Sequence, residues 1–97
     1  MIKIIASDWD LICSKDRDEN EDKSQIKGGR LGHNICLCCG KIIRNLNNRK
    51  SLRLIEGGSY LTEYEGELNE DFDMGWFYVG SACYKKFLKN RKEIKVE

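Results

Sequence analysis

The alternation of apolar and polar residues along this chain predicts several short β-strands. Residues 2–6 alternate imperfectly and are interpreted as a strand. Residues 51–56 and 59–64 alternate more clearly, and the Gly-Gly pair between them is typical of a hairpin turn, because glycine tolerates positive φ. A fourth apolar segment, residues 76–79, lies between two glycines. Together these segments predict a small antiparallel sheet.

One helix is predicted near the carboxyl end of the chain. Ser81 is a suitable N-cap. The residues after it place side chains at the i, i+3, i+4, i+7 spacing of an amphipathic helix: Tyr84, Phe87, Leu88 and the aliphatic stem of Arg91. By contrast, residues 14–30 are almost entirely polar and are predicted to form a flexible loop, with a short exposed helix as the alternative. The predicted fold class is therefore α+β, with a small antiparallel sheet and one C-terminal helix.

Composition indicates a single-domain protein, but it does not indicate what the protein binds. The chain has 97 residues, 40% apolar and 34% charged, with a net charge of +1, which fits one domain over residues 1–97. No apolar run approaches the roughly 18–20 residues that a membrane-spanning helix needs. The first residues do not resemble a secretory signal. We therefore expect a cytoplasmic protein with no membrane partner.

The cysteines carry the clearest chemical signal. There are five, so a complete set of disulfides is impossible, and clustered cysteines in a reducing compartment more often bind metal. Cys36 and Cys39 have the C-x2-C spacing of a zinc knuckle, and Gly40 permits the sharp turn that follows. Cys83 is the best third ligand, because the first turn of the predicted helix favours a thiolate.

Two residues compete as the fourth zinc ligand. Cys13 follows the N-terminal apolar segment and ranks slightly ahead, because structural sites made only of cysteine are common. His33 lies just before the knuckle and is the alternative. Cys38 is adjacent to Cys39 and is expected to point away from the ion. The predicted cofactor is one structural Zn²⁺, which would hold the sheet and the helix together.

Two blocks of the chain resemble a group of short zinc-binding proteins and domains from phages and bacteria, most of them without an assigned function. The first block reads Cys36-x-x-Cys39-Gly40-Lys41-x-Ile43, and the second reads Tyr78-Val79-Gly80-Ser81-x-Cys83-x-Lys85-Lys86. Members of the group share a C-x2-C-G-[KR] knuckle and a later V-G-S-x-C-x-K-K segment. The resemblance implies that Cys36, Cys39 and Cys83 bind zinc together, and it implies no chemistry.

No catalytic motif accompanies the cysteines. Zinc deaminases pair H-x-E with P-C-x-x-C, whereas His33 is followed by Asn34 and Ile35 and the chain contains no proline. A single histidine excludes the H-E-x-x-H motif, and no G-x-x-x-x-G-K-[ST] loop is present. We therefore expect a protein that is not an enzyme and has no small-molecule substrate.

Basic residues predict nucleic acid as the first partner. They are concentrated in residues 41–53 and in the predicted helix, and small zinc modules often present a basic face to phosphates. Trp76 or Tyr78 could add base stacking. The predicted contacts are Lys85, Lys89, Lys92, Arg44, Arg49 and Lys50.

Acidic residues predict the alternative partner, a protein. Residues 63–73 contain six carboxylates and no basic side chain. Such a segment could dock on a basic surface, in the manner of a phage-type inhibitor of a host defence or replication enzyme. In that case the protein would act in the host cytoplasm. The predicted contacts are Glu65, Glu67, Glu70, Asp71 and Asp73.

Overall fold

The structure is a computed structural model that describes residues 2–96, and it contains one five-stranded antiparallel sheet. The strands are β1 (Ile2–Asp8), β2 (Lys50–Ile55), β3 (Tyr60–Thr62), β4 (Asp73–Val79) and β5 (Lys92–Val96). Their order across the sheet is β4-β2-β3-β1-β5. The first strand of the chain therefore lies inside the sheet, and β4 and β5 form its two edges.

Three α-helices accompany the sheet: α1 (Trp9–Ile12), α2 (Arg17–Ile26) and α3 (Ser81–Lys89). Short 3₁₀ turns occur at Leu46–Asn48 and Glu56–Gly58. Within residues 2–96, no helix has both the length and the apolar character needed to cross a membrane.

The predicted α+β class and antiparallel sheet are confirmed, and each of the four predicted strands has a counterpart. The turn between β2 and β3 uses positive φ at both glycines, 66° at Gly57 and 93° at Gly58. The predicted helix begins at Ser81, although Gly80 occupies the N-cap position and no side chain caps the helix.

The prediction of one C-terminal helix is wrong in two respects. Helices α1 and α2 precede the sheet's second strand, and β5 follows α3. Only Ile94 and Val96 of β5 are apolar, so its sequence pattern does not predict a strand. It nevertheless pairs with β1 from Ile2↔Val96 to Ala6↔Lys92. Because β4 and β5 are opposite edges of the sheet, α3 crosses one face of the sheet to connect them.

The prediction of a flexible loop at residues 14–30 is also wrong, because most of this segment is α2. Its sequence has no apolar stripe, and its one large apolar residue, Ile26, is 86% exposed. Polar side chains hold the helix instead. The buried Ser24 hydroxyl, for example, donates to the carbonyl oxygen of Gly40 at 2.7 Å.

Apolar side chains pack on both faces of the sheet. On one face, α3 buries Phe87 against Leu52, Leu61 and Val79, beside the cysteines. The Ser7 hydroxyl donates to the Phe87 carbonyl oxygen at 2.8 Å and ties α3 to β1. The smaller core on the other face contains Ile4, Ile55 and Val96, with Tyr64 and Leu68 packed against it. The larger core therefore positions the cysteine-bearing elements.

Candidate metal centre

The structure brings together three of the cysteines that the sequence singled out. The Sγ atoms of Cys36, Cys39 and Cys83 all lie within 4.8 Å of one another. A tetrahedral ion with Zn–S bonds of about 2.3 Å would place its sulfurs about 3.8 Å apart, so small adjustments would satisfy it. Cys36 and Cys83 are buried and Cys39 is half-buried. These three residues could hold a metal ion, and thiolates suit Zn²⁺ among other soft cations.

Cys36 and Cys39 are presented by a tight turn, the cysteine loop, which comprises residues 35–43. The ends of the loop meet in a bridge between Ile35 and Ile42. Inside the loop, the Gly40 N–H donates to the Cys36 carbonyl oxygen, and the Cys36 N–H donates to the Lys41 carbonyl oxygen, both at 2.9 Å. Gly40 has φ of 75°, which residues with a side chain rarely adopt.

Cys83 reaches the cysteine loop because β4 leads directly into α3. The Leu37 N–H donates to the Tyr78 carbonyl oxygen at 3.0 Å, which places the cysteine loop beside the end of β4. Gly80 follows, and its N–H donates to Cys36 Sγ at 3.3 Å. Such N–H groups commonly orient and stabilise thiolate ligands of metals. The same glycine therefore connects β4, α3 and the sulfur cluster.

The three thiols of the cluster shift one another's pKa values through their mutual hydrogen bonds. The pKa of Cys36 lies well below its usual range, chiefly because the thiols of Cys39 and Cys83 donate to its sulfur. The pKa values of Cys39 and Cys83 are raised, chiefly by their position beside the Cys36 sulfur. Three adjacent thiolates repel one another, so full deprotonation of the group requires a cation to neutralise it.

Cys38 and Cys13 extend the group of thiols. Cys38 was expected to point away, but it is fully buried and its thiol interacts with those of Cys13 and Cys83. The contact with Cys13, together with burial, raises the pKa of Cys38. The Ser14 N–H donates to the Cys38 carbonyl oxygen at 2.9 Å and holds the N-terminal segment there. Cys13 contacts Cys38 rather than joining the three-sulfur group.

His33, the alternative fourth ligand, is exposed and lies outside the three-sulfur group. Its carbonyl oxygen accepts from Arg49 Nη1 at 2.9 Å. All five cysteines are free thiols. The structure therefore places thiols, rather than the imidazole, next to Cys36, Cys39 and Cys83.

Helix α2 supplies residues that the sequence analysis missed. The side chain of Asn20 donates to the Cys39 carbonyl oxygen at 3.0 Å, Ser24 donates to Gly40, and Arg17 Nε donates to Leu37. These bonds satisfy three carbonyl groups of the cysteine loop. Arg17, Asn20 and Ser24 are polar and follow no apolar periodicity, so the sequence pattern could not predict these contacts.

Five of the six predicted nucleic-acid contacts lie on or beside α3, and the sixth, Lys92, lies elsewhere. Arg49 Cζ lies 4.0 Å from the centre of the Tyr78 ring, and Lys50 Nζ lies 5.9 Å from that of Tyr84. Arg44 lines a cleft at the start of α3, while Lys85 and Lys89 are exposed on α3 itself. Lys92 is separate, because it lies on β5 and pairs with Asp8 at 3.1 Å.

The predicted protein contacts are also divided. Asp73 forms a two-pronged ion pair with the buried Arg53, at 3.0 and 2.7 Å. This pairing, with a further bond from the Gly75 N–H, lowers the pKa of Asp73 to about 2. Arg53 also donates to the carbonyl oxygens of Tyr64 and Gly66, so Asp73 helps to fold the acidic segment. The other four predicted protein contacts are exposed, namely Glu65, Glu67, Glu70 and Asp71.

Comparisons of the chain with protein-family models, with curated proteins and with solved structures find no match. The resemblance to short zinc-binding proteins therefore stays a prediction. The class that the fold and the site define is a small α+β protein with a three-cysteine cluster that could hold a metal ion.

Proposed function

We propose that this chain is a binding module for nucleic acid, built around one structural Zn²⁺, and that it is not an enzyme. The observation that carries the proposal is a set of basic side chains on and beside α3 that have no acidic partner within residues 2–96. Arg44, Arg49, Lys50, Lys85 and Lys89 form no ion pair with any carboxylate of residues 2–96. Such cations can instead neutralise phosphates.

The zinc part of the proposal is supported by the donor set. Thiolates from a C-x2-C loop and a distant helix are typical ligands of structural zinc. The fourth ligand is assigned to a cysteine, either Cys38 or Cys13. The Cys38 thiol contacts Cys83 and the Cys13 thiol contacts Cys38, whereas His33 lies outside this cluster. With four thiolates the coordination shell would be closed, as structural sites are, and the ion would hold no position for a substrate.

The nucleic-acid part is supported by how the cations are held. Arg49 is fixed over Tyr78 and also donates to the His33 carbonyl oxygen. Lys50 lies near Tyr84 on the adjoining helix, and the next residue of that helix is the exposed Lys85. Side chains that are ordered before binding lose less entropy when they meet a phosphate.

Native mass spectrometry of the purified protein, after zinc addition, tests the metal centre. We expect one zinc per chain in the wild type and in His33→Ala. Cys13→Ser and Cys38→Ser identify the fourth ligand, because only the variant that lacks it should release zinc readily. A protein that takes up no zinc, with five reactive thiols, would remove the proposed centre.

Fluorescence anisotropy tests the nucleic-acid proposal. The probes are labelled single-stranded oligo(dT) of about 20 nucleotides and a duplex of similar length, titrated at several salt concentrations. We expect binding that weakens steeply with salt, and weaker binding by Lys50→Gln/Lys85→Gln than by Lys95→Gln. Lys95 is the matched control, because it is an exposed lysine on the far edge strand.

The protein-partner alternative makes the opposite prediction. If neither probe binds at low salt, and a basic protein is retained by the wild type but not by Glu65→Gln/Glu67→Gln, the acidic segment is the interaction surface. Asp73 is left intact in that test because it is paired with Arg53.

A further inference from the structure

Two clefts adjoin each other on the outer side of the cysteine loop. The first, of about 320 Å³, lies between α2 and the loop, and Lys23, Lys27 and Lys41 line it. The second, of about 250 Å³, lies between the loop and the start of α3, where Cys36, Cys39 and Gly80 line it. Lys41, Ile42 and Arg44 belong to both linings. The two clefts are therefore adjacent, and together they are called here the α2–α3 groove.

Apart from the candidate metal ligands Cys36 and Cys39, the charged side chains that line the α2–α3 groove all have one sign. Its lining, drawn from residues 2–96, contains four cationic side chains and no carboxylate. Lys23 pairs with Glu19 at 3.0 Å, but Lys27, Lys41 and Arg44 form no ion pair within the described chain. The remaining polar lining consists of amides and hydroxyls, among them Asn45, Asn48 and Ser81. Such groups can donate hydrogen bonds to an anion.

The lining also limits what kind of anion fits. No aromatic side chain lines either cleft, so the groove offers no ring on which a base could stack. Its cations lie on three separate elements, namely α2, the cysteine loop and the segment after it. A ligand with phosphates repeated along a chain can place a separate phosphate beside the cations of each element.

We propose that the α2–α3 groove binds the phosphodiester backbone of a nucleic acid, without regard to sequence, through Lys27, Lys41 and Arg44. This inference rests on the proposed function and deepens it. It moves the main contact surface from the face of α3 to the groove beside the cysteine loop. It also gives α2, which lies in the segment predicted to be a flexible loop, a direct part in binding.

The test compares two double variants of the zinc-loaded 97-residue chain. Lys27→Gln/Lys41→Gln removes charge from the groove, Lys50→Gln/Lys85→Gln removes it from the side of α3, and Lys95→Gln is the control. All of these lysines are exposed, so folding should be preserved, and circular dichroism with zinc content verifies this. Binding is measured by anisotropy with labelled oligo(dT) and with a mixed-sequence strand of equal length.

We expect Lys27→Gln/Lys41→Gln to weaken binding of both strands equally, by roughly three- to tenfold at low salt. The slope of log affinity against log salt should fall by about 0.7 for each lost phosphate contact on single strands. Lys95→Gln should bind like the wild type.

Three results would overturn the inference, and only one of them also removes the proposed function. If Lys27→Gln/Lys41→Gln binds like the wild type while Lys50→Gln/Lys85→Gln binds weakly, the groove is not the contact surface and the proposed function survives. If the wild type binds neither strand at low salt, the proposed function fails and the groove fails with it. A strong preference for one of the two sequences would contradict backbone recognition.

Discussion

Replacing Gly40 by alanine tests whether α2 and the cysteine loop depend on each other. Gly40 has φ of 75°, and an added Cβ would lie 2.7 Å from the backbone nitrogen of Glu21 and would also collide with the carbonyl oxygen of Arg17. Both obstacles are backbone atoms of α2, so no side-chain rotation can relieve them. The helix must move away from the loop, or the turn must change.

The expected cost has two parts. A left-handed φ at a residue with a side chain costs about 1 kcal/mol. Displacement of α2 would break the bonds from Arg17, Asn20 and Ser24 to the cysteine loop, each worth about 1 kcal/mol. The free energy of unfolding should therefore fall by about 3–4 kcal/mol in Gly40→Ala.

Gly32→Ala is the matched control. Gly32 has φ of 82°, yet an added Cβ would meet nothing within 4 Å. It should therefore lose only the conformational part, about 1 kcal/mol. The assay is equilibrium unfolding in urea, followed by circular dichroism, with all proteins at the same zinc concentration. Equal losses in the two variants would refute the reasoning, because contact with α2 would then contribute nothing.

Three further predictions concern the metal, the α2 contact and the Arg53–Asp73 ion pair. Cys83→Ser should lose most of its bound zinc in native mass spectrometry while Ser81→Ala keeps it, and equal zinc content would contradict the ligand role. Ser24→Ala should lower the free energy of unfolding by about 1 kcal/mol, whereas the exposed Gln25→Ala should change it little. The Asp73 pKa is about 2 in the folded protein, below its ordinary 3.8, so the ion pair stabilises the fold above about pH 4 and that stability is lost as pH falls toward 2. Asp73→Asn should therefore lower the free energy of unfolding by roughly 1–2 kcal/mol at neutral pH and flatten its acid dependence, unlike the exposed Asp71→Asn.

Some elements could be predicted from the sequence because their stability comes from periodic apolar burial. Leu52 and Leu54 alternate along β2, and Cys83 and Phe87 lie four residues apart on the inner face of α3. The C-x2-C spacing also predicted correctly that the Cys36 and Cys39 sulfurs lie close together, because two sulfurs on a tight turn are close whatever the rest of the chain does.

Other elements could not be predicted, because distant parts of the chain determine them. Helix α2 is held by hydrogen bonds from polar side chains to the carbonyl groups of the cysteine loop, and such bonds leave no periodic pattern. Cys38 contacts Cys13 and accepts a hydrogen bond from Ser14, and both residues lie far from it in sequence. The acidic sequence around Asp73 predicts an exposed carboxylate, and nothing in that sequence indicates its pairing with Arg53, which lies on another strand.

The position of β1 inside the sheet has a consequence for how the chain folds. Its partners are β3 and β5, and the pairing with β5 joins Ile2 to Val96. During synthesis β1 therefore has no neighbour until β3 emerges, and its second edge stays open until β5 follows. Pairing over such sequence distances closes large loops before any contact is gained, which slows folding. An ion bound by Cys36, Cys39 and Cys83 would already connect the cysteine loop to α3, the helix that leads into β5. Zinc would in that case shorten the search for the final strand, so the apo chain should refold more slowly than the loaded one.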